Sequence, residues 1–222
     1  MTTLERRTVG SLALLYSFRM LGLFMVLPLL ALYTADMANA TPLAIGLALG
    51  IYGLGQALLQ IPLGWLSDRI GRKPVIVGGL LCFALGSVAA AMADSIYGII
   101  AGRALQGAGA IASTVMALVA DLTREEQRTK AMASVGMSIG LSFAVALILG
   151  PVVASAGGLA AVFWFTAVLA LVGIVIVLTL VPTPERGIQH DEVGTRGNLV
   201  WHSLRDANLL RLNFGVFCLH FI

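Results

Sequence analysis

Six apolar runs, each long enough to cross a lipid bilayer, leave this chain few ways to fold. They extend from Val9 to Tyr33, Leu43 to Leu66, Pro74 to Met92, Ile96 to Ala120, Ala131 to Ser155 and Leu159 to Val181. A helix needs roughly 20 mostly apolar residues to span the hydrocarbon core. Composition points the same way. Charged residues make up 11% of the chain, against about 25% in a soluble domain that must face water. Hydrophobic residues reach 59% and mean hydropathy is +0.94, which fits neither a soluble enzyme nor a disordered chain. The expected fold is an all-α membrane protein with six transmembrane helices. A seventh apolar run opens at Leu209 and reaches Ile222, too short to span, and reads as the start of a seventh helix. The expected organisation is a six-helix bundle over 1–182, a cytoplasmic linker over 183–208 and a truncated helix over 209–222. Arg6 and Arg7 before an apolar run imitate a signal peptide. That run is too long for a signal core and lacks a convincing cleavage site, so it reads as a retained helix.

The placement of Lys and Arg orients the bundle. Arg6 and Arg7 precede the first run; Arg69, Arg72 and Lys73 join the second to the third; Arg124, Arg128 and Lys130 join the fourth to the fifth; Arg186, Arg196, Arg205 and Arg211 follow the sixth. The three intervening connections hold none, only Asp36 and Asp94. Cytoplasmic connections of membrane proteins collect Lys and Arg, so both ends of the bundle are expected in the cytoplasm, with the N-terminus inside. The strict alternation supports the number of runs independently of hydropathy.

The polar residues at membrane depth are few. Arg19 falls near the middle of the first run and Arg103 in the fourth, with Gln106 close by. A central arginine costs about 2.5–3.5 kcal/mol on insertion scales, so it must face a cavity or a partner. None of the six runs contains Asp or Glu. The two cations are therefore expected to rely on amides, hydroxyls, carbonyls, water or substrate, and to favour anionic or electron-rich cargo. Tyr52 and Gln56 are expected beside them on a substrate or proton pathway, with Gln60, Tyr16 and Tyr33 as further lining groups. His220 lies in the seventh run, and His190 and His202 in the linker. Cys82 and Cys218 sit in apolar runs with no metal-ligand spacing, and no H-E-x-x-H, serine or Cys/His constellation occurs. No enzyme, metal or cofactor is expected, and without a basic, aromatic-interleaved tract no nucleic-acid partner.

Small residues recur at helical spacing: Gly46 with Gly50, Gly136 with Gly140 and Ala144, and the column Ser138, Ser142, Ala146 and Gly150. Such stripes let helices approach closely in lipid, as static packing or as a rocking contact. In the linker, Leu199, Val200, Trp201 and Leu204 could form one face of a short interfacial helix or belong to a plain tether.

The most informative stretch is Gly64-Trp65-Leu66-Ser67-Asp68-Arg69-Ile70-Gly71-Arg72-Lys73-Pro74. Pro74 suits the first turn of a helix. Gly71 permits left-handed backbone in a tight turn, and Asp68 can accept N–H groups at a helix end or pair with a cation. The stretch resembles the loop signature of the major facilitator superfamily, G-x-L-a-D-r-x-G-r-k, with Ser67 in place of the common Ala. A second signature, R-x-x-q-G-x-g, is matched by Arg103, Gln106, Gly107 and Gly109. The glycine–proline motif of the fifth helix is partial: Gly150-Pro151 is present, with Ala146 and Ala154-Ser155 where glycines are common. Ser17 to Gly22, Ser67 to Gly79, Gly102 to Ala112, Asp121 to Glu125, Arg128 to Ala133 and Leu212 to Gly215 together resemble the YajR-like group of bacterial inner-membrane transporters.

The resemblance implies two six-helix halves, each of two three-helix repeats, of which this chain holds the first half plus the start of helix seven. The short echo between Arg19 to Gly22 and Arg103 to Gly107 is consistent with such repeats. It also implies secondary transport of a small molecule across the inner membrane by alternating access, proton coupling in an efflux or antiport mode, and a C-terminal half as partner within the bilayer. Gly64, Asp68, Arg69, Gly71, Arg72, Lys73 and Asp121 are implied to form a conformational latch, in which Arg72 pairs with Asp121. The competing reading is a self-contained six-helix module acting as a dimer or scaffold.

Overall fold

The computed structural model describes residues 1–34, 37, 40–183 and 205–221. Among them the chain is helical, with no strand. Residues 1–184 form one compact unit and 185–222 a second. Most of the linker lies outside the described residues, including Leu199 to Leu204, His190 and His202, as does the side chain of His220.

Helix α1 runs Thr3–Thr34 and opens earlier than its apolar run. Thr2 and Glu5 explain the extension: the Glu5 N–H donates to Thr2 Oγ1 at 3.2 Å, and the Thr2 N–H donates back to Glu5 Oε2 at 2.6 Å. This reciprocal box satisfies donors that a helix start leaves open. Helix α2 runs Pro42–Ile70, capped by Thr41, whose hydroxyl accepts from the Ala44 N–H at 3.1 Å. It continues through Ser67 to Ile70, so Asp68 and Arg69 sit on the last turn of a helix, where the sequence reading ended the span at Leu66. One residue then turns the chain. Gly71 has φ of 102°, and α3 begins at Arg72 and runs to Ala91.

The fourth run is broken. Helix α4 covers Ile96–Ala108 and α5 covers Ala112–Asp121. At the break, a Cβ on Gly109 would fall 2.2 Å from the Gly79 carbonyl oxygen, so α3 lies against bare backbone there. The fifth and sixth runs fall in α6, Glu125–Thr179, which is two helices meeting at a kink. Its 55 residues would stretch about 80 Å if straight, far beyond a hydrocarbon core of about 30 Å. It bends at Gly157 and Gly158, and Gly158 has φ 64° and ψ −153°, a conformation essentially reserved for glycine. In the second unit, α7 covers Ala207–Phe221.

Helix α1 packs most extensively on α6; α3 bridges α6 and α4, and α4 also carries α2. Two apolar clusters fill the ends of the bundle. One gathers Leu12, Leu15, Val115, Leu118, Val135 and Val177; the other gathers Met25, Leu30, Ala48, Ile96, Ile99 and Phe163. Between them lies a small cluster around Tyr52 and Phe83. The small-residue stripes divide in two. Ser142, Ala146 and Gly150 are buried, and Ser138 meets α1, its hydroxyl donating to the Ala13 carbonyl at 3.4 Å. Packing inside the unit is not the role of the other pairs: Gly46, Gly50, Gly136 and Gly140 have nothing within 4 Å of a built Cβ.

Candidate functional site

The middle of the bundle is a polar waist between the two apolar clusters. Arg19, on α1, is 1% exposed and donates from Nη2 to Gln56 Oε1 and to the Gly109 carbonyl, each at 3.1 Å. That carbonyl is available because the chain leaves helical geometry after Ala108. A cation there also suits the negative end of α4. Tyr52 donates its hydroxyl to the same Gln56 oxygen at 2.9 Å.

Arg103, on α4, is fully buried. Its Nε donates to the Ala48 carbonyl at 3.3 Å and its Nη1 to Gln106 Oε1 at 3.0 Å. Gln106 Nε2 donates on to Ser87 Oγ at 2.7 Å, and Ser87 to the Phe83 carbonyl at 2.7 Å. The Tyr52 ring joins the two arginines: the Arg103 guanidinium carbon lies 4.6 Å from its centroid and that of Arg19 lies 6.0 Å away, with Phe83 5.4 Å from Arg19. An aromatic face attracts a cation, more so where water is excluded. No described carboxylate pairs with either arginine. Arg19 Nε and Nη1 and Arg103 Nη2 have no hydrogen-bond partner among the described residues.

The structure thus gathers Arg19, Tyr52, Gln56, Arg103 and Gln106 into one connected cluster. Tyr16 is buried one turn before Arg19 on α1. Gln60 is half-buried further along α2, where its carbonyl accepts from Ser113 Oγ at 3.0 Å. Tyr33 stands apart, lining a half-open cavity of about 250 Å³ with Ala91, Ile99, Gly157 and Leu159. Sequence reasoning missed Ser87, and it had no means of naming the carbonyls of Ala48 and Gly109.

A second cluster gathers at the turn between α2 and α3. Arg72 pairs through Nη1 with Asp68 and through Nε with Asp121 Oδ2 at 3.1 Å, which ties the end of α2 to the end of α5. Ser67 is buried and accepts from Arg72 Nη1 at 2.7 Å while donating to the Gly64 carbonyl at 2.6 Å. Arg69 lies over the Trp65 ring, 3.6 Å from its centroid. A Cβ on Gly64 would press Ser113 Oγ at 3.2 Å. Lys73 is half-buried in the first turn of α3.

A third contact was not foreseen. Glu5 receives the Arg124 guanidinium at 3.0 Å from Nε and 3.4 Å from Nη2, and the Arg124 backbone N–H at 3.2 Å, so the start of α1 is fastened to the start of α6. The Arg124 hydrogen bonds, then the Thr2 N–H, hold the Glu5 carboxyl down at about 2, and Glu5 raises Arg124 in turn. A carboxyl lowered in the folded state contributes stability that is full above its unfolded value and fades as pH falls toward the folded one. Glu5→Gln is therefore expected to lower thermal stability at neutral pH. The difference from wild type should shrink as pH falls from about 5 toward 2. A difference that persists unchanged to the acid end would assign the loss to packing.

A sequence profile described as Major Facilitator Superfamily matches residues 12–222. The chain is 53% identical over its whole length to the inner membrane transport protein YajR of Escherichia coli strain K12, covering 49% of that protein. It is 38% identical over its whole length to an uncharacterized transporter of Buchnera aphidicola subsp. Acyrthosiphon pisum, covering 57% of it. The chain thus spans about half the length of the curated relatives it matches. The crystal structure of the human organic anion transporter MFSD10 superposes with a TM-score of 0.68 at 22% identity, over 83% of this chain and 49% of that one, a likeness of fold.

Proposed function

The chain belongs to the major facilitator superfamily, and from that premise we propose that it is the N-terminal six-helix half of a secondary transporter working by alternating access. The cargo is a small molecule, moved across a bacterial inner membrane in exchange for protons in the efflux direction. The N-terminus and the α2–α3 turn face the cytoplasm, and a C-terminal six-helix half completes the cavity within the bilayer. Homology to named transporters and the apolar helices support the membrane placement. The side of each connection follows from the Lys and Arg distribution. The open glycine faces at Gly46, Gly50, Gly136 and Gly140 support a mobile contact with the second half. The waist residues line the pathway: Arg19, Tyr52 and Gln56 near its face, with Arg103 and Gln106 bracing Tyr52 from behind. The titrating group that couples the proton belongs to the connections or the second half, since no run here contains Asp or Glu.

The observation that carries this reading is Arg72, which joins Asp68 to Asp121 across one end of the bundle. These residues, with Gly64, Arg69, Gly71 and Lys73, act as a latch that favours the outward-open state. Exposed ion pairs are each worth about 0.2–1 kcal/mol, so Asp68→Asn is expected to shift the population away from outward-open by about 1.5- to 5-fold. Labelling of reporter cysteines on the cytoplasmic side of the intact protein measures the shift; unchanged labelling removes the latch. Uptake and efflux in proteoliposomes, with and without a pH gradient, test the transport reading itself. Transport indifferent to the gradient would leave a transporter without proton exchange.

A further inference from the structure

Arg19 carries more hydrogen-bonding capacity than its surroundings use. Its Nη2 is taken by Gln56 and Gly109, yet Nε and Nη1 find no acceptor among the described residues, at 1% exposure. A guanidinium cannot shed its charge in a protein, and a buried donor left unpaired is costly, more so when charged. No acidic residue in any of the six apolar runs stands ready to neutralise it. Arg103 is better provided for, with two of its nitrogens matched and the Tyr52 ring 4.6 Å from its guanidinium carbon.

Gln56 shows what this site holds. Its Oε1 accepts from a cation and a hydroxyl at once, Arg19 Nη2 at 3.1 Å and Tyr52 at 2.9 Å. Donors of those two kinds converging on one oxygen also suit an oxyanion, which binds them more strongly than a neutral amide does. Gln56 is half-buried whereas Arg19 and Tyr52 are buried, so it stands nearest the open side of α2. We propose that Gln56 is a displaceable internal ligand, and that Arg19 and Tyr52 receive the carboxylate of an organic-acid cargo when it swings aside. The carboxylate would then meet Nε and Nη2 along one edge of the guanidinium, the bidentate arrangement arginine forms with such groups, and accept the Tyr52 hydroxyl as well. The inference rests on the transporter reading and names the class of its cargo.

The test is calorimetric titration of the intact transporter, in lipid nanodiscs, with benzoate and with its neutral isostere benzamide. Benzoate is expected to bind at least tenfold more tightly than benzamide. Arg19→Gln should weaken benzoate tenfold or more, Gln56→Ala should tighten it several-fold because nothing need be displaced, and Gln56→Glu should abolish it by filling the site from within. Both Gln56 variants retain Arg19, so the test stands even if Arg19→Gln fails to fold. Benzoate that does not bind the wild-type protein, or that binds Gln56→Glu or Arg19→Gln as tightly as wild type, overturns the proposal. In each of those cases proteoliposomes that still carry a neutral or cationic solute leave the transporter reading standing; absence of any transport by the wild-type protein counts against that reading instead.

Discussion

Valine at Gly107 will prise α2 from α4 and destabilise the protein by about 1–3 kcal/mol or more, the range for forcing atoms into a packed interior. A Cβ at this position would fall 2.4 Å from the Tyr52 carbonyl oxygen and 3.0 Å from its Cα. Both are backbone atoms, so no side-chain rotation relieves the clash, and one helix must shift. The shift falls on the residue whose ring joins Arg19 and Arg103 and whose hydroxyl holds Gln56. Stability and the polar waist therefore fail together. Alanine at Gly10 and at Gly78, inside α1 and α3, supplies the control, because no atom lies within 4 Å of a Cβ built there. Inside a helix alanine is favoured over glycine by about 0.5–1 kcal/mol, so neither change should harm this unit. Thermal unfolding in detergent reads the difference, at roughly 2–4 °C per kcal/mol for a chain of 150–250 residues. A Gly107→Val protein that melts with the wild type would mean the two helices do not touch as described.

The contrast between those glycines marks where sequence reasoning stops. A G-x-x-x-G spacing says that two small residues share one helix face; it says nothing about what that face meets. Gly46 with Gly50 and Gly136 with Gly140 fit the pattern and meet nothing within the unit, whereas Gly86, Gly102, Gly107 and Gly109 lie against the backbone of a neighbouring helix. Apolar run length located the helices well, because lipid contact constrains composition along a whole span. It could not see the break after Ala108, where the backbone of Gly79 lies against Gly109. It did part the fifth run from the sixth between Ser155 and Leu159, where the backbone leaves helical geometry at Gly157 and Gly158. The turn at Gly71 was legible because its positive φ is a local demand that glycine meets. The Thr2-x-x-Glu5 spacing was a local signal of a helix start, but Arg124 lies 119 residues away and nothing nearby announces it. The pairing of Arg72 with Asp121 was available only through family resemblance. With no acid in the runs, the residues left amides, hydroxyls, carbonyls, water or substrate as partners for Arg19, and Gln56 and the Gly109 carbonyl are two from that list.

Removing the Arg103 side chain altogether is expected to have the largest effect of any single change in the waist. Arg103→Ala empties the place of a large, fully buried side chain, a change that costs about 3–5 kcal/mol for bulky core residues. It also takes a donor from Gln106 Oε1 and the Ala48 carbonyl. Arg103→Met separates volume from charge. Methionine fills most of the same volume but, like alanine, leaves the buried Gln106 Oε1 without its Arg103 donor. The methionine protein should therefore melt below wild type by about 1–3 kcal/mol, less than the alanine protein, which adds a cavity. Its transport is expected to fall about tenfold, because the lost cation–π contact with Tyr52 and the hydrogen bonds to Ala48 and Gln106 are together worth about 1–2 kcal/mol, and 1.4 kcal/mol is a factor of ten. Melting in detergent and flux in proteoliposomes, measured on the same preparations, decide the matter. If the methionine protein folds and transports at the wild-type rate, Arg103 only fills space. If it folds and transports poorly, the guanidinium serves the pathway through the ring it holds.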